Sequence, residues 1–489
     1  GCSPFGGDPA DHGLRPAMSW TTHISAVKTV RSRESVGYGR RWRAARGTRV
    51  ATVPVGYADG YSRAFGGRAR ALVGGRPVPV IGAVSMNQLA LDLGPEGDAQ
   101  AGAEVVLLGG PGDERVGAEE LAALRDTNSY EIVAVWAVGG GLRDALLGRP
   151  VADLDLAVEG DAAPFAAALA RAHGADRFRL SREFGSWSVT GGSLPMAVDI
   201  TPLQGPDLAA DLDRRDFTVN ALALDISAPQ EGVVDRHGGL AHLSAGRLHL
   251  VTDGALADDP VRLMRLARQA QELGFTVDPG AADRARADAH MLWQAPGERL
   301  MRELGRIAAL PRADLALRLL DSLGVLGVLV PQLEDCRGVD QSPYHHLDVL
   351  GHTLEVVEHA VAVCADPTPV FRGCAPRVAD ALATPLADGL SARDGLVLAA
   401  LLHDMAKAAT KGVTPEVRIT FIGHDRDGAD MADALLRRLR TSNRLREMVV
   451  SCIRWHLPLG FLVHRTPLSL RQIDRYLQLT APQEVEVIV

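Results

Sequence analysis

The chain has 489 residues, 46% of them hydrophobic, a formal net charge of −8 and five cysteines. That length holds two to four domains able to bury cores, and the acidic balance means that any grip on nucleic acid must be local. No apolar run approaches the roughly 20 residues needed to span a bilayer and no basic-then-apolar signal segment is present, so a cytoplasmic protein without membrane contact is expected. Cys2, Cys336, Cys364, Cys374 and Cys452 lack C-x-x-C spacing, which reads as reduced thiols rather than a disulfide frame or zinc site. The sequence opens on Gly1 and closes on Val489 within an apolar pattern, and reads as a fragment at both ends.

From Met18 to Val36 and from Thr48 to Leu108, short alternating runs separated by Gly, Pro and Asp turns predict a β-barrel-like domain over residues 1–133. The segments LRPAMSW, SVGYGR, VPVGYADGY, GAVSMNQ and TNSYEI occur there in order. Together they resemble the C-terminal domain of alanine racemase. The resemblance implies that Tyr38 is one of two racemising acid/bases, that Tyr57 and Met86 line the substrate site, and that Tyr130 touches the phosphate of pyridoxal phosphate. It also implies a homodimer through this domain. Ser85-Met86-Asn87-Gln88 stands where the family commonly has C-M-D-Q, one carboxylate fewer. Racemisation needs a lysine Schiff base, carried in that family on an N-terminal α/β barrel. Lys28, the only lysine in this region, lies in an alternating strand pattern without a glycine-rich cradle. Pyridoxal phosphate is therefore expected only where the barrel is present, and this segment alone should not racemise.

Residues 134–256 read as an α/β head. A strand end at Ala134 to Val138 is followed by a turn of Gly139, Gly140 and Gly141, a helix opening at Leu142-Arg143-Asp144, and a strand carrying Asp153 and Asp155. Bare glycines and a helix N-terminus admit phosphate oxygens, and Arg143 adds a full charge. Carboxylates spaced i, i+2 on a strand share one face, which suits a pair of divalent ions. A helix from Asp161 to His173 and strands at Arg177–Leu180, Trp187–Thr190 and Pro195–Thr201 extend the sheet, and Asp199 falls on the last as a third carboxylate. DLDRRDFTVNALAL follows. These motifs, in this order, resemble the class II tRNA nucleotidyltransferase and poly(A) polymerase family. The resemblance implies that Arg214, Arg215, Asp216 and Asn220 contact ribose and triphosphate.

Asp258-Asp259-Pro260 precedes an expected helix, with proline near the first turn. The segment resembles the family's E-D-P-x-R-x-x-R, which implies that Asp259 and Arg262 read the edge of the incoming base, with Arg265 on the nucleotide. Residues 257–333 are expected to form a helical neck and RNA-binding body. Its arginines Arg299, Arg302, Arg306 and Arg312 either line a groove for tRNA phosphates or form a solvated helical face.

Across residues 334–489, HHLDVLGHT, LAALLHDMAK, Gly423-His424 and Arg454-Trp455-His456 resemble the HD superfamily of metal phosphohydrolases. The resemblance implies one or two divalent ions, such as Ni²⁺ or Mn²⁺, on His352, His403, Asp404, His424 and His456. Lys407, one turn on, is expected to reach phosphate. The Ala/Pro-rich stretch between His359 and Asp394 reads as a mobile insertion.

The leading expectation is addition of CCA to tRNA 3′ ends from CTP and ATP with Mg²⁺, with an accessory HD domain. The alternatives are a poly(A) polymerase of the same family and a pyridoxal-phosphate racemase whose barrel is missing. The polymerase signature R-R-F-x-L-x-H is not found, which favours CCA addition.

Overall fold

A computed structural model of the chain describes residues 19–59, 61–110, 115–125, 135–226, 229, 232–341, 346–416, 418–462 and 467–488. Contacts divide the chain into two units, Gly1–Arg215 with Val219–Leu240, and Asp216–Thr218 with Ala241–Val489. Tyr130 and the Val133–Ala134 junction lie outside the described residues.

The first unit begins with strands β1 (Trp20–His23), β2 (Ala26–Val30), β3 (Thr48–Val53), β4 (Arg70–Val73), β5 (Arg76–Ile81), β6 (Leu89–Gly94) and β7 (Glu104–Leu108). They form an antiparallel sheet in the order β1-β7-β4-β5-β6-β3-β2. Its two edges belong to one run of chain. Between them, the Ile24 N–H donates to Ala103 O and the Ser25 N–H to Thr52 O, both at 2.9 Å, so the sheet curls into a half-barrel. Tyr61, Leu72, Leu91 and Leu107 are fully buried inside the curl.

The head is a second sheet. Its strands are β8 (Val135–Val138), β9 (Asp153–Val158), β10 (Asp176–Arg179), β11 (Trp187–Thr190), β12 (Ala197–Pro202), β13 (Leu222–Asp225) and β14 (Val233–Asp235), in the order β10-β11-β12-β9-β8-β13-β14. Only β9 and β12 run parallel among its paired strands. Helices α1 (Gly139–Leu146), α2 (Ala162–His173) and α3 (Leu208–Asp213) complete it. Asp161 caps α2 through the Ala163 N–H, and Gly174 ends it in the left-handed region. The three glycines are not the turn expected from sequence. They are the first residues of α1, where Gly139 and Gly141 lie against β9 with no room for a Cβ and Gly140 lies beside Arg143.

Burial sets the register of β12. Val198 and Ile200 are 5% and 0% exposed and face the core, while Asp199 points the other way. A one-residue slip would expose both, at roughly 1.5–3 kcal/mol each.

The second unit is mainly helical. Among its helices are α4 (Val261–Leu273), α5 (Gly297–Ala308), α6 (Ala313–Ser322), α7 (Val349–Ala365), α8 (Ala392–Leu402), α9 (His424–Arg438) and α10 (Asn443–Trp455). Helix α8 packs on α7 and α10, and α9 on α10. The stretch read as a mobile insertion is regular: α7 continues to Ala365, short helices span Thr368–Phe371 and Ala375–Leu382, and a hairpin pairs Pro385–Ala387 with Leu390–Ser391. Ala375, Val378 and Leu382 form the buried side of the second of these helices. No helix of the described residues is long and apolar enough to cross a membrane.

Candidate active and metal sites

In the head, parallel pairing puts Asp155 directly opposite Asp199, while Asp153 lies two residues back on β9. Burial, then the charges of Asp153 and Asp199, push the Asp155 carboxyl up to about 6, against the Arg215 guanidinium and the Gly140 N–H, which lower it. Asp199 is also raised, first by burial, despite a hydrogen bond from Ser188. Like charges so gathered repel, and a divalent cation bound by them would offset that repulsion.

The glycines serve this approach. Gly139 has φ +68, and a Cβ there would fall 2.7 Å from Asp155 Oδ2; one on Gly141 would fall 2.6 Å from the Asp153 carbonyl. Gly139→Ala is therefore expected to cost about 1–3 kcal/mol of stability and to displace the Asp155 carboxylate. Thermal melting checks this, and an unchanged midpoint would show that the clearance is dispensable.

Arg143 is buried, its Nη1 2.8 Å from Asn220 Oδ1 and its Nη2 2.8 Å from Asp144. Arg215 binds Asp211 Oδ2 through Nη2 at 2.9 Å and lies 3.4 Å from the position of a Gly139 Cβ. Asp211, Asp144 and Ser188 were not singled out from sequence. The i, i+4 spacing of Asp211 and Arg215 was the one available signal. Arg214 is exposed.

In the second unit Asp216 Oδ2 accepts from Arg265 Nη1 at 3.0 Å. Asp259 takes the extended backbone expected before Pro260, φ −146 and ψ 93, between the short helix Ala255–Asp258 and α4. Its Oδ2 lies 2.7 Å from Arg299 Nη2 and 4.0 Å from Arg262 Nε, while Arg262 Nη1 donates to Ala255 O at 2.9 Å. Of the four arginines read as a phosphate groove or a solvated face, Arg299 is paired to Asp259, Arg312 to Asp314 at 2.6 Å and Arg306 to Glu303 at 3.9 Å.

The histidines converge. His352 lies on α7, His403 caps the C-terminus of α8 with Asp404 next to it, His424 opens α9, and His456 caps the C-terminus of α10. His352, His403 and Asp404 form one set with ligand atoms all within 4.8 Å, and Asp404, His424 and His456 form another. His403, His424 and His456 each have Nδ1 within 2.9 Å of the carbonyl three residues earlier, on Ala400, Phe421 and Ile453. A carbonyl only accepts, so each Nδ1 carries the proton and Nε2 turns inward. Buried Asp404 Oδ1 and His424 Nε2 face each other at 3.4 Å without a hydrogen-bond partner. Two lone pairs so placed fit a divalent cation of the kind imidazole and carboxylate share. Burial and then the charge of His403 push the His456 pKa down to about 4. On His403 burial opposes charging and Asp404 outweighs it, so its pKa is raised. Lys407 is buried, 2.6 Å from Asp404 Oδ2 and 2.9 Å from Gln341 Oε1. His345 lies outside the described residues.

In the half-barrel, the Tyr57 N–H donates to Ser85 O at 3.0 Å, which sets Tyr57 beside the Met86 loop. Both side chains are exposed, at 44% and 58%. The Tyr38 side chain lies outside what the structure describes. Lys28 is on the exposed side of β2.

A mixed sheet with paired carboxylates beside a glycine-opened helix, followed by a helical His/Asp centre, defines a nucleotidyltransferase head with an HD domain. Family matches run along the chain in the same order: the alanine racemase C-terminal domain over residues 17–138, the poly A polymerase head domain over 135–249, the probable RNA and SrmB-binding site of polymerase A over 274–336, and the HD domain over 349–479. The CC-adding tRNA nucleotidyltransferase of Thermus thermophilus is 35% identical over 65% of this chain and 68% of its own length. The chain belongs to the tRNA nucleotidyltransferase family, with an alanine racemase C-terminal domain fused ahead of the head. The A-adding tRNA nucleotidyltransferase of Deinococcus radiodurans is 35% identical over 62% of this chain, and the alanine racemase of Cutibacterium acnes 45% identical over 26%. The chain spans 64% and 35% of those two relatives' lengths. A solved complex of a CCA-adding enzyme with ATP shares the fold, with a TM-score of 0.52 at 22% identity over 76% of each chain.

Proposed function

We propose that this chain adds nucleotides, without a template, to the 3′ end of tRNA, using CTP, ATP and Mg²⁺ to build all or part of CCA. The observation that carries this reading is the register of Asp155 with Asp199 beside the glycine-opened helix. Asp153 and Asp155, assisted by Asp199, would hold Mg²⁺, which supplies Lewis acidity toward the 3′-hydroxyl and the departing pyrophosphate. Gly139 to Gly141, Arg143, Arg214, Arg215, Asp216 and Asn220 bind the triphosphate and ribose, and Arg265 steadies Asp216. Asp259 and Arg262 choose the base, since a carboxylate accepts from an exocyclic amine and a guanidinium donates to ring acceptors. The work divides among residues 134–256 as head, 257–333 as neck and RNA-binding body, and 334–489 as a metal-dependent phosphohydrolase.

The test uses tRNA ending before CCA, after C and after CC, each with CTP, ATP or both. Extension is expected, and is lost with Asp153→Ala plus Asp155→Ala; extension by that double variant would end the metal assignment. Stopping after CC, or acting only on the CC end, would place this chain with its CC-adding or A-adding relatives. Long tails from ATP alone would make it a poly(A) polymerase.

A further inference from the structure

Residues directly opposite each other in a sheet point to the same side, so the register of the head carries the carboxylate face outward strand by strand. Asp155 stands opposite Asp199, Asp199 opposite Ser188, and Ser188 opposite Phe178 on the edge strand β10. Ser188 is buried and bonds Asp199, whereas Phe178, at the end of this row, is 49% exposed. We propose that the Phe178 ring is a stacking platform for an unpaired base at the 3′ end of the RNA being extended.

The inference rests on the nucleotide addition proposed above, and direction decides it. In an in-line displacement the attacking hydroxyl lies opposite the departing pyrophosphate. The glycines of α1 and Arg215, assigned to the triphosphate, stand on the β8 side of Asp155, and there α3 closes the face, with Leu208 and Leu212 packed against Val138, Ala157 and Ala223. The RNA end is left the other direction, along β12 and β11 to β10. Strands roughly 4.8 Å apart put Phe178 about 10 Å from Asp199 and about 14 Å from Asp155, too far for the reacting hydroxyl and within reach of a base behind it. The ring is not part of the core, which Val189, Val198 and Ile200 fill from the opposite face, where Arg177 and Arg179 each lie 5.1 Å from the centre of the Trp187 ring. The platform is also fixed. Just past the strand the Leu180 N–H donates to Ser186 O at 3.0 Å, and the Thr201 hydroxyl donates to Ser186 Oγ at 2.9 Å, which ties the turn back to β12. Charge favours RNA as the occupant: Arg177, Arg179 and Arg182 outnumber Asp176 and Glu183 on this edge of a chain whose net charge is −8. An exposed aromatic on a rigid strand among basic residues is what base stacking without sequence preference uses.

The full chain is assayed on tRNA ending before CCA, with KM for the tRNA and for CTP measured separately. Phe178→Ala is expected to raise KM for the tRNA about 10-fold, the scale of one lost base–aromatic stack, and to leave KM for CTP unchanged. Phe178→Leu, which keeps apolar bulk without a ring, should follow the alanine variant, and Phe178→Tyr should match the unsubstituted chain. Benzoylphenylalanine in place of Phe178 should crosslink on irradiation to the last unpaired nucleotides of the tRNA, and in place of Arg179, on the opposite face, should not. In a chain that extends tRNA, an unchanged tRNA KM for Phe178→Ala or Phe178→Leu, or a Phe178 position that crosslinks only to the paired stem or not at all, overturns the proposal. No extension by the unsubstituted chain would instead overturn the reading on which it rests.

Discussion

Asp155→Asn is expected to reduce nucleotide addition by about 10³-fold, the scale of removing a group that stabilises transition-state charge, and at the same time to stabilise the metal-free chain at pH 8. The folded pKa of Asp155, about 6, lies above its ordinary value of 3.8. The folded chain thus binds this proton more tightly than the unfolded chain does. The stability it contributes is complete below pH 3.8 and lost as pH rises through about 6. Two pKa units correspond to roughly 3 kcal/mol, an upper bound for a group still partly open to water. Melting curves in EDTA at pH 4 and pH 8 should therefore show wild type and variant converging in acid, with the variant ahead in base. Mg²⁺ should raise the wild type and leave the variant where it is. A variant less stable than wild type at pH 8 would mean that Asp155 does not carry the strain assigned to it.

Glu303→Ala should destabilise the second unit. Glu303, on α5, is 4% exposed at its side chain, accepts from Arg268 at 2.7 Å and lies 3.6 Å from Arg265 Nε. Removing it takes away the carboxylate shared by Arg268, which keeps Glu272, and Arg265, which keeps Asp216, at about 1.5–3 kcal/mol. Arg265 also binds Asp216, so its release should weaken discrimination between CTP and ATP as well. Urea unfolding of the full chain, followed by helical signal, reads the first effect, and misincorporation on tRNA ending in CC reads the second. Glu303→Gln, which keeps a hydrogen-bond acceptor, should recover much of the stability; an unchanged midpoint for Glu303→Ala would remove the network from any role in holding α4 and α5 together.

Local pattern carried a good deal of this. The strand Trp187–Thr190 coincides with its expectation, and the alternation on β12 and the i, i+2 spacing on β9 place three carboxylates by period two alone. Periodicity could not reveal the pairing partner. Asp155 meets Asp199 through a parallel ladder between strands far apart in sequence. The helix start at Gly139 was misread because glycine is read as turn, whereas contact with β9 overrides that preference here. Lys407 was read one turn from Asp404 as a contact for phosphate; its bond to Gln341, remote in sequence, could not be read from spacing. Glu303 gave no signal, because a lone glutamate on an amphipathic helix looks like surface until Arg268 is found beneath it.

The parallel ladder between β9 and β12 also says where this head can change over generations. Everything from Glu159 to Met196 leaves one strand and returns to its neighbour. Within that excursion β11 pairs with β12, Ser188 opposite Asp199, and Ala162, Ala166 and Ala170 of α2 are buried in the core of the head. Lineages could therefore lengthen or recompose the loops that join these elements, while the elements themselves are held to the carboxylates they support.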